Sequence, residues 1–186
     1  MILAEKYLTK FLDNNKKEGP LNNFVKEIQS RYSASYRHAH PFILQWNITP
    51  KCNLRCKHCY YVETPEIYLG SKSISYNRNL SIVDEITNLN IFYVVLSGGE
   101  ALLADGIFDI LEKLKSKNIV IYMHSNGKVI NEEIAQRLAQ IFVPELDSIQ
   151  ISLDGLKEQH DKTRGKGSFD NAINAIKLLR KAGISV

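Results

Sequence analysis

The sequence predicts an α/β fold in which helices cover a parallel β-sheet. Strand-like and helix-like stretches alternate along most of the 186 residues, and four such units in a row are typical of a parallel sheet. Clusters of unusual polar residues follow the ends of the predicted strands, which is where parallel α/β proteins place their chemistry. A hydrophobic fraction of 44% and a charged fraction of 24% fit an ordinary globular domain.

The first 41 residues are predicted to form a helical extension and a linker. Residues 1–12 place Leu3, Tyr7, Leu8 and Phe11 on one helical face. Pro20 is suited to open a second short helix, and a polar, basic stretch then leads to residue 41. We interpret the apolar stripes as packing faces that cap the domain formed by residues 42–186.

The second domain opens with a strand, a helix and a second strand. Residues 42–48 (FILQWNI) are predicted to be a strand, with Trp46 in the core. Residues 81–89 predict a helix, in which Ser81 and Asp84 have the spacing of a capping box. Residues 91–97 (IFYVVLS) are rich in β-branched and aromatic residues, which is typical of a buried strand.

The alternation continues toward the C-terminus. Residues 105–117 predict an amphipathic helix that ends in lysines, as the helix dipole favours. Residues 119–125 and 148–154 predict the next two strands. Residues 131–141 begin with Asn and two Glu, which favours a helix start. Residues 168–183 predict a helix with a Ser cap and a terminal Gly, after which a fifth strand begins.

Charge and hydropathy exclude several classes of function. The net charge of +4 is too mild to indicate nucleic-acid binding. No apolar run approaches 18 residues, so a membrane span is not expected. The N-terminus lacks the pattern of a secretory signal. We therefore expect a cytoplasmic protein with reduced thiols.

All three cysteines lie in residues 52–59, in the sequence CNLRCKHC. A disulfide is disfavoured by the reducing compartment and the odd number of thiols. Zinc would need Cys52, Cys56, Cys59 and His58, but two neighbouring residues chelate one tetrahedral ion poorly. A catalytic thiol would need only one cysteine, and packing cysteines would sit on apolar faces.

An iron–sulfur cluster fits this spacing better. Thiolates are the usual ligands of such clusters, and Arg55 and Lys57 offset the negative charge. Three cysteines leave one iron of a [4Fe–4S] cluster without a protein ligand. Chemistry requires such an open coordination site, whereas an electron-transfer cluster avoids one.

The Cys-x3-Cys-x2-Cys loop after the first strand, followed by Tyr60, resembles the signature of the radical S-adenosylmethionine (SAM) superfamily. "GGE" at 98–100 resembles that family's motif for the SAM amine. "SLDG" at 152–155 and the stretch 160–184 resemble the SPASM and Twitch subgroup, which matures peptides and proteins. The resemblance implies a partial (β/α)6 barrel of about four βα units with the start of a fifth strand.

The resemblance also implies the cofactors and the reaction. A [4Fe–4S] cluster and SAM would generate a 5′-deoxyadenosyl radical, which would modify a peptide or protein substrate as in the maturation of ribosomally made peptides. It implies an electron donor of the flavodoxin or ferredoxin type. The alternative is a non-catalytic binding or regulatory fragment that contains a cluster or zinc and pairs with another chain.

Site residues follow from the same resemblance. Cys52, Cys56 and Cys59 would bind the cluster, and Glu100 would bind the SAM ammonium group beside a close backbone approach at Gly98 and Gly99. The remaining predicted SAM-binding residues share positions at or after strand ends: His58 near adenine, Ser125, Asn126, Ser152, Asp154, and Arg164 at the carboxylate.

Purely structural roles remain as alternatives for several of these residues. His58 would otherwise be a solvated loop residue, Ser125 and Asn126 part of a turn, Asp154 an Asx-turn residue, and Arg164 part of a solvated basic loop. His160 and Asp161 are predicted to be loop structure.

The sequence departs from the family pattern at its C-terminus. Residues 184–186 only begin the fifth of six strands, and the cysteines that would bind auxiliary clusters are absent. We expect a fragment of a longer enzyme, or a short form whose open sheet edge is covered by a second chain.

Overall fold

The computed structural model describes residues 43–60 and 74–186, together with Lys26. The chain separates into two compact units, Met1–His40 and Pro41–Val186, and nearly all described residues belong to the second. Apart from Lys26, the helical extension and linker predicted for residues 1–41 lie outside the described residues, and that division into domains stays a prediction.

The described part of the chain contains a four-stranded parallel sheet. Its strands are β1 (Ile43–Thr49), β2 (Tyr93–Gly98), β3 (Val120–Ser125) and β4 (Ser148–Ile151). They lie side by side in the order β1-β2-β3-β4, and all three neighbouring pairs are parallel. A parallel bridge from Ser148 to Ser185 continues the sheet at the predicted start of the fifth strand. The predicted α/β fold with a parallel sheet is therefore confirmed.

Helices connect these strands. They are α1 (Tyr76–Asn88), α2 (Ile107–Ser116), α3 (Glu132–Ile141), α4 (Lys157–Arg164) and α5 (Ser168–Lys181), with a short 3-10 helix at Ala101–Leu103. The capping box predicted at Ser81 and Asp84 is wrong, because α1 begins earlier. Ser75 is its N-cap and accepts a hydrogen bond from the Arg78 amide at 3.3 Å.

Helix α4 was not predicted from the sequence. Its residues KEQHDKTR carry no apolar stripe, and His160 is the buried residue of this helix. The prediction that His160 and Asp161 belong to a loop is therefore wrong. His160 is 1% exposed and accepts a hydrogen bond from the Asp154 amide at 3.2 Å through Nδ1.

One face of the sheet forms the hydrophobic core with the helices. The fully buried strand residues on this face include Val94, Leu96, Ile121, Met123 and Ile149. They pack with buried helix residues including Ile110, Leu111, Leu114, Leu138 and Leu179. Burying each such side chain contributes about 1.5–3 kcal/mol relative to exposure. Trp46, 7% exposed, belongs to this core as predicted.

Successive strand residues face opposite sides of a sheet, so the other face carries a different set of side chains. Asn47 is paired with Ser97, and His124 is paired with Gln150. Leu96 is paired with Met123, so the next residues, Ser97 and His124, stand at the same level. We call Asn47, Ser97, His124 and Gln150 the polar row. It lies near the carboxyl edge of the sheet.

Within the described part of the chain, no helix has the length and apolar character needed to cross a lipid bilayer.

Candidate functional site

A cavity of about 190 Å³ lies at the carboxyl edge of the sheet. It is lined by residues that follow β1, end β2 and β3, follow β4, and end α4: Cys52, Cys56, His58, Cys59, Ser97, Gly98, Gly99, Glu100, His124, Ser125, Asn126, Ser152 and Arg164. The structure thus brings all of the predicted site residues except Asp154 to the wall of one cavity.

The end of β2 lies directly against the start of the cysteine loop. The Gly99 amide donates to the Thr49 carbonyl at 2.8 Å, and the Glu100 amide donates to the Lys51 carbonyl at 2.8 Å. Side chains at the two glycines would block this approach. A Cβ at Gly98 would lie 2.4 Å from Thr49 O, and one at Gly99 would lie 2.4 Å from Lys51 O. The glycines therefore allow the chain's own backbone segments to meet.

Replacing Gly98 with alanine should destabilise this junction. Gly98 has φ +136 and no room for a Cβ, so we expect a loss of about 1–3 kcal/mol of stability. Gly155→Ala is the matched control, because Gly155 also has a positive φ, +113, but nothing lies within 4 Å of its Cβ position. Thermal unfolding should show a lower Tm for Gly98→Ala than for Gly155→Ala. Equal Tm values would show that close packing at Gly98 is unimportant.

Glu100 is a buried carboxylate at the centre of this edge, and it is 2% exposed. Its Oε1 accepts from the Ser125 hydroxyl at 2.8 Å and from the Leu102 amide at 3.4 Å. Its Oε2 accepts from the Asn126 amide at 2.8 Å. Burial raises the pKa of Glu100, and these hydrogen bonds oppose that rise. Glu100 thus joins β2 to β3 and places a carboxylate beside the cavity.

Asn126 combines the two roles that the sequence left open. Its Oδ1 accepts from the Lys128 amide at 2.9 Å, which forms a turn. Its Nδ2 donates to Asn53 Oδ1 at 2.8 Å and lies 3.9 Å from the Cys52 sulfur. Ser125 Oγ accepts from the Gly127 amide at 3.0 Å. The turn after β3 therefore supports the cysteine loop.

The three cysteines line the cavity as free thiols. Burial raises the pKa of Cys52 and of Cys56, and Arg164 partly opposes this rise at Cys56. Ligand thiols bind metal as thiolates, so binding iron would displace protons that burial otherwise retains.

The arrangement of the thiols bears on the kind of metal centre. Among residues 43–60 and 74–186, no three His, Cys, Asp or Glu side chains converge on a point that would hold a single ion. A cluster does not require such convergence, because each cysteine binds a different iron.

Asp154 and Arg164 form an ion pair at the rim. Arg164 Nε donates to Asp154 Oδ2 at 2.6 Å, and Nη2 donates to Oδ1 at 2.9 Å. His58 Nε2 lies 3.5 Å from Arg164 Nη2 and 3.6 Å from Asp154 Oδ2. The hydrogen bond from Arg164 lowers the pKa of Asp154. Arg164 lies at the end of a helix, so the interpretation of this segment as a solvated loop is wrong.

Sequence reasoning missed two residues of the cavity wall, Ser97 and His124. Both belong to the polar row, and the His124 ring meets the Tyr122 ring edge-on at 5.2 Å. Burial lowers the pKa of His124, which favours its neutral form. The signal that would have found them is a polar residue at the C-terminal end of a predicted buried strand.

Comparison with known proteins gives a match to the family model described as "Radical SAM superfamily" over residues 46–186. A mycofactocin maturase, MftC, of Mycolicibacterium smegmatis is 32% identical over 146 residues, which cover 78% of this chain and 36% of that protein. An Fe-coproporphyrin III synthase of Methanosarcina barkeri is 29% identical over 145 residues, which cover 77% and 35%. The chain thus spans about a third of the length of these curated relatives.

Solved structures share the fold. The structure of anSMEcpe with bound AdoMet and the Kp18Cys peptide matches with a TM-score of 0.62 and 25% identity, over 77% of this chain and 41% of that chain. SuiB of Streptococcus suis matches with a TM-score of 0.64 and 16% identity, over 97% of this chain and 42% of that chain.

Proposed function

Since the chain belongs to the radical SAM superfamily, as the cysteine motif predicted, we propose that it forms the catalytic core of an enzyme that modifies a peptide or protein. The observation that carries this proposal is the cavity that joins the three cysteines to Gly98, Gly99 and Glu100. One side of the cavity offers thiolate ligands, and the other offers a buried carboxylate.

Proteins of this family bind a [4Fe–4S] cluster and SAM, and structural neighbours contain bound AdoMet. When bound, these cofactors supply reductive cleavage of SAM and a 5′-deoxyadenosyl radical that removes a hydrogen atom from the substrate. The residues present fit them, because Cys52, Cys56 and Cys59 face one cavity and form no disulfide. We assign the cluster to these three residues.

The residues opposite the cysteines are suited to SAM. Glu100 offers a buried anion to the ammonium group. Ser152 lines the cavity, and its amide donates to the Ser125 carbonyl at 2.9 Å, which fixes the end of β4 beside β3. Because these groups are held before any ligand arrives, binding requires little reorganisation. We assign SAM to Gly98, Gly99, Glu100, Ser125, Asn126 and Ser152.

The polar row supports an amide-bearing substrate. Asn, Ser, Gln and neutral His each offer hydrogen-bond donors and acceptors, which match the single donor and acceptor of a peptide unit. The described strands β1 to β4 contain no Lys, Arg, Asp or Glu. A substrate bearing several carboxylates, such as a porphyrin, would favour cationic partners there. The AdoMet-bound neighbour that also holds a peptide is consistent with an amide-bearing substrate.

The electron source is a further part of the proposal. The net charge of +4 suits an acidic donor of the flavodoxin or ferredoxin type, because opposite charges speed encounter. A cytoplasmic location and a second chain at the sheet edge stay predictions.

The test is anaerobic reconstitution with iron and sulfide, followed by incubation with SAM and dithionite. We expect 5′-deoxyadenosine and methionine to appear in a dithionite-dependent manner, measured by liquid chromatography, and to be absent when S-adenosylhomocysteine replaces SAM. A cluster without 5′-deoxyadenosine would favour the non-catalytic alternative. Recovery of zinc alone would overturn the proposal.

A further inference from the structure

Helix α4 is fixed at three places: the cysteine loop, the segment after β4 and the start of α5. The Thr163 carbonyl accepts from the Lys57 amide at 2.9 Å, so the helix is tied to the loop through backbone alone. His160 is tied to the Asp154 amide at 3.2 Å. Asp161 accepts from the Gly167 and Phe169 amides at 3.0 and 2.9 Å, at the start of α5. Arg164, the last residue of α4, is therefore held in place by the fold.

Arg164 points from this helix to the cluster loop. Its side chain is 15% exposed, and two of its nitrogens are engaged by Asp154. Nη2 also lies 3.5 Å from His58. Arg164 and Cys56 line the same cavity, and the residues next to them in the chain, Thr163 and Lys57, are joined by the backbone hydrogen bond. A cation is thus held beside a cluster ligand in a place where solvent screens it weakly.

We propose that Arg164, oriented by Asp154, is a positioning residue that raises the reduction potential of the cluster through its charge beside the cysteine loop. This inference rests on the proposed function. Adding an electron makes the cluster more negative, so a nearby cation stabilises the reduced form. Residues around the ligands of a metal centre are known to tune it in this way.

This role differs from the one that the family resemblance implied, in which Arg164 binds the SAM carboxylate. Asp154 engages the Nε and Nη2 edge of the guanidinium in a bidentate pair, and this pair does not use Nη1, so both roles are compatible with the five donors of an arginine. The two roles separate experimentally, because an effect on the cluster is measurable without SAM.

The test is the midpoint potential of the reconstituted cluster, measured by mediated titration in the absence of SAM. Arg164→Gln should lower the potential, because it removes the cation. Asp154→Asn should raise it, because the neutral amide still accepts from Arg164 while the compensating negative charge is lost. Lys162→Gln removes the same charge from an exposed residue of the same helix, and the potential should stay at the wild-type value.

Opposite shifts in the two variants distinguish this role from a merely structural one, which would lower iron content or broaden the spectra in both. If both variants hold full iron at the wild-type potential, the inference is wrong. A large loss of SAM affinity in Arg164→Gln, with the potential unchanged, would assign Arg164 to SAM instead.

If Arg164→Gln does not assemble a cluster, Arg164→Lys provides the measurement. Lysine keeps the positive charge but lacks the planar guanidinium, so the midpoint potential of Arg164→Lys should fall less than removal of the charge would require. The midpoint potential of Asp154→Asn should still rise. Wild-type potentials in both would overturn the inference. A wild-type chain that binds no cluster at all would overturn the proposed function itself, which is a distinguishable result.

Discussion

Cys56→Ala should lose the iron–sulfur centre almost completely. The wild-type chain should hold about four irons after anaerobic reconstitution, as a [4Fe–4S] cluster requires. Cys56 is the most buried of the three thiols, at 8% exposed, and it lies between the other two in the loop. Two remaining cysteines leave two irons without protein ligands, so we expect only traces of iron and sulfide, and no SAM cleavage.

The fold should survive this substitution, which makes the result interpretable. The loop around Cys56 is held by backbone hydrogen bonds, from Lys57 to Thr163 at 2.9 Å and from Cys59 to Cys56 at 3.1 Å, and alanine keeps both. Iron analysis, visible absorption and electron paramagnetic resonance measure the cluster. Thermal unfolding of the metal-free proteins is the control, and the variant should match the wild type. Four irons retained in Cys56→Ala would remove the basis for the assigned ligands.

The parallel sheet was predictable because its strands are short, continuous apolar runs. Residues such as Val94, Leu96, Ile121 and Met123 are buried between the sheet and its helices, and such strands leave a strong signal in the sequence. The carboxyl ends of parallel strands meet at one edge. That geometry was sufficient to bring the cysteine loop, the Gly-Gly-Glu segment and the residues after β3 and β4 together.

Helix α4 was not predictable in the same way, because tertiary contacts rather than an apolar stripe hold it. Its sequence is strongly polar, and its buried residue is a histidine. Asp161 accepts hydrogen bonds from the start of α5, a role that appears only once both helices are placed. The role of Arg164 at the cysteine loop depends on this helix, so sequence reasoning assigned it only by resemblance.

The start of α1 and the polar row show two further limits of prediction from the sequence. The segment YNRN before Ser81 is polar, so the apolar pattern placed the start of the helix at Ser81, whereas the Ser75 side chain sets the start at Tyr76. Ser97 and His124 end predicted strands, and their polar side chains were the available signal in the sequence. The register with Asn47 and Gln150 then shows that they belong to the polar row, on the face of the sheet opposite the core.

Glu100→Gln should impair both SAM binding and stability. The substitution keeps the shape but removes the negative charge, which is proposed to bind the SAM ammonium group. A hydrogen bond to a charged group is worth about 1.5–3 kcal/mol, so SAM affinity should fall about tenfold to hundredfold. In the protein itself, Glu100 accepts hydrogen bonds from Ser125, Leu102 and Asn126. The amide nitrogen of glutamine would face one of these donors. An unsatisfied buried donor costs about 1–3 kcal/mol of stability.

Ser125→Ala separates these two effects. It removes the hydrogen bond from Ser125 to Glu100 at 2.8 Å and the one from the Gly127 amide to Ser125 at 3.0 Å, but leaves the charge in place. Its cost in urea unfolding should be about 1–3 kcal/mol, and SAM affinity, measured by calorimetry on the cluster-loaded protein, should fall much less than in Glu100→Gln. If Glu100→Gln loses stability but binds SAM as the wild type does, the role of Glu100 is only to link β2 to β3 by hydrogen bonds. The ammonium group would then need another anion, and the Gly-Gly-Glu segment would serve the cysteine loop alone.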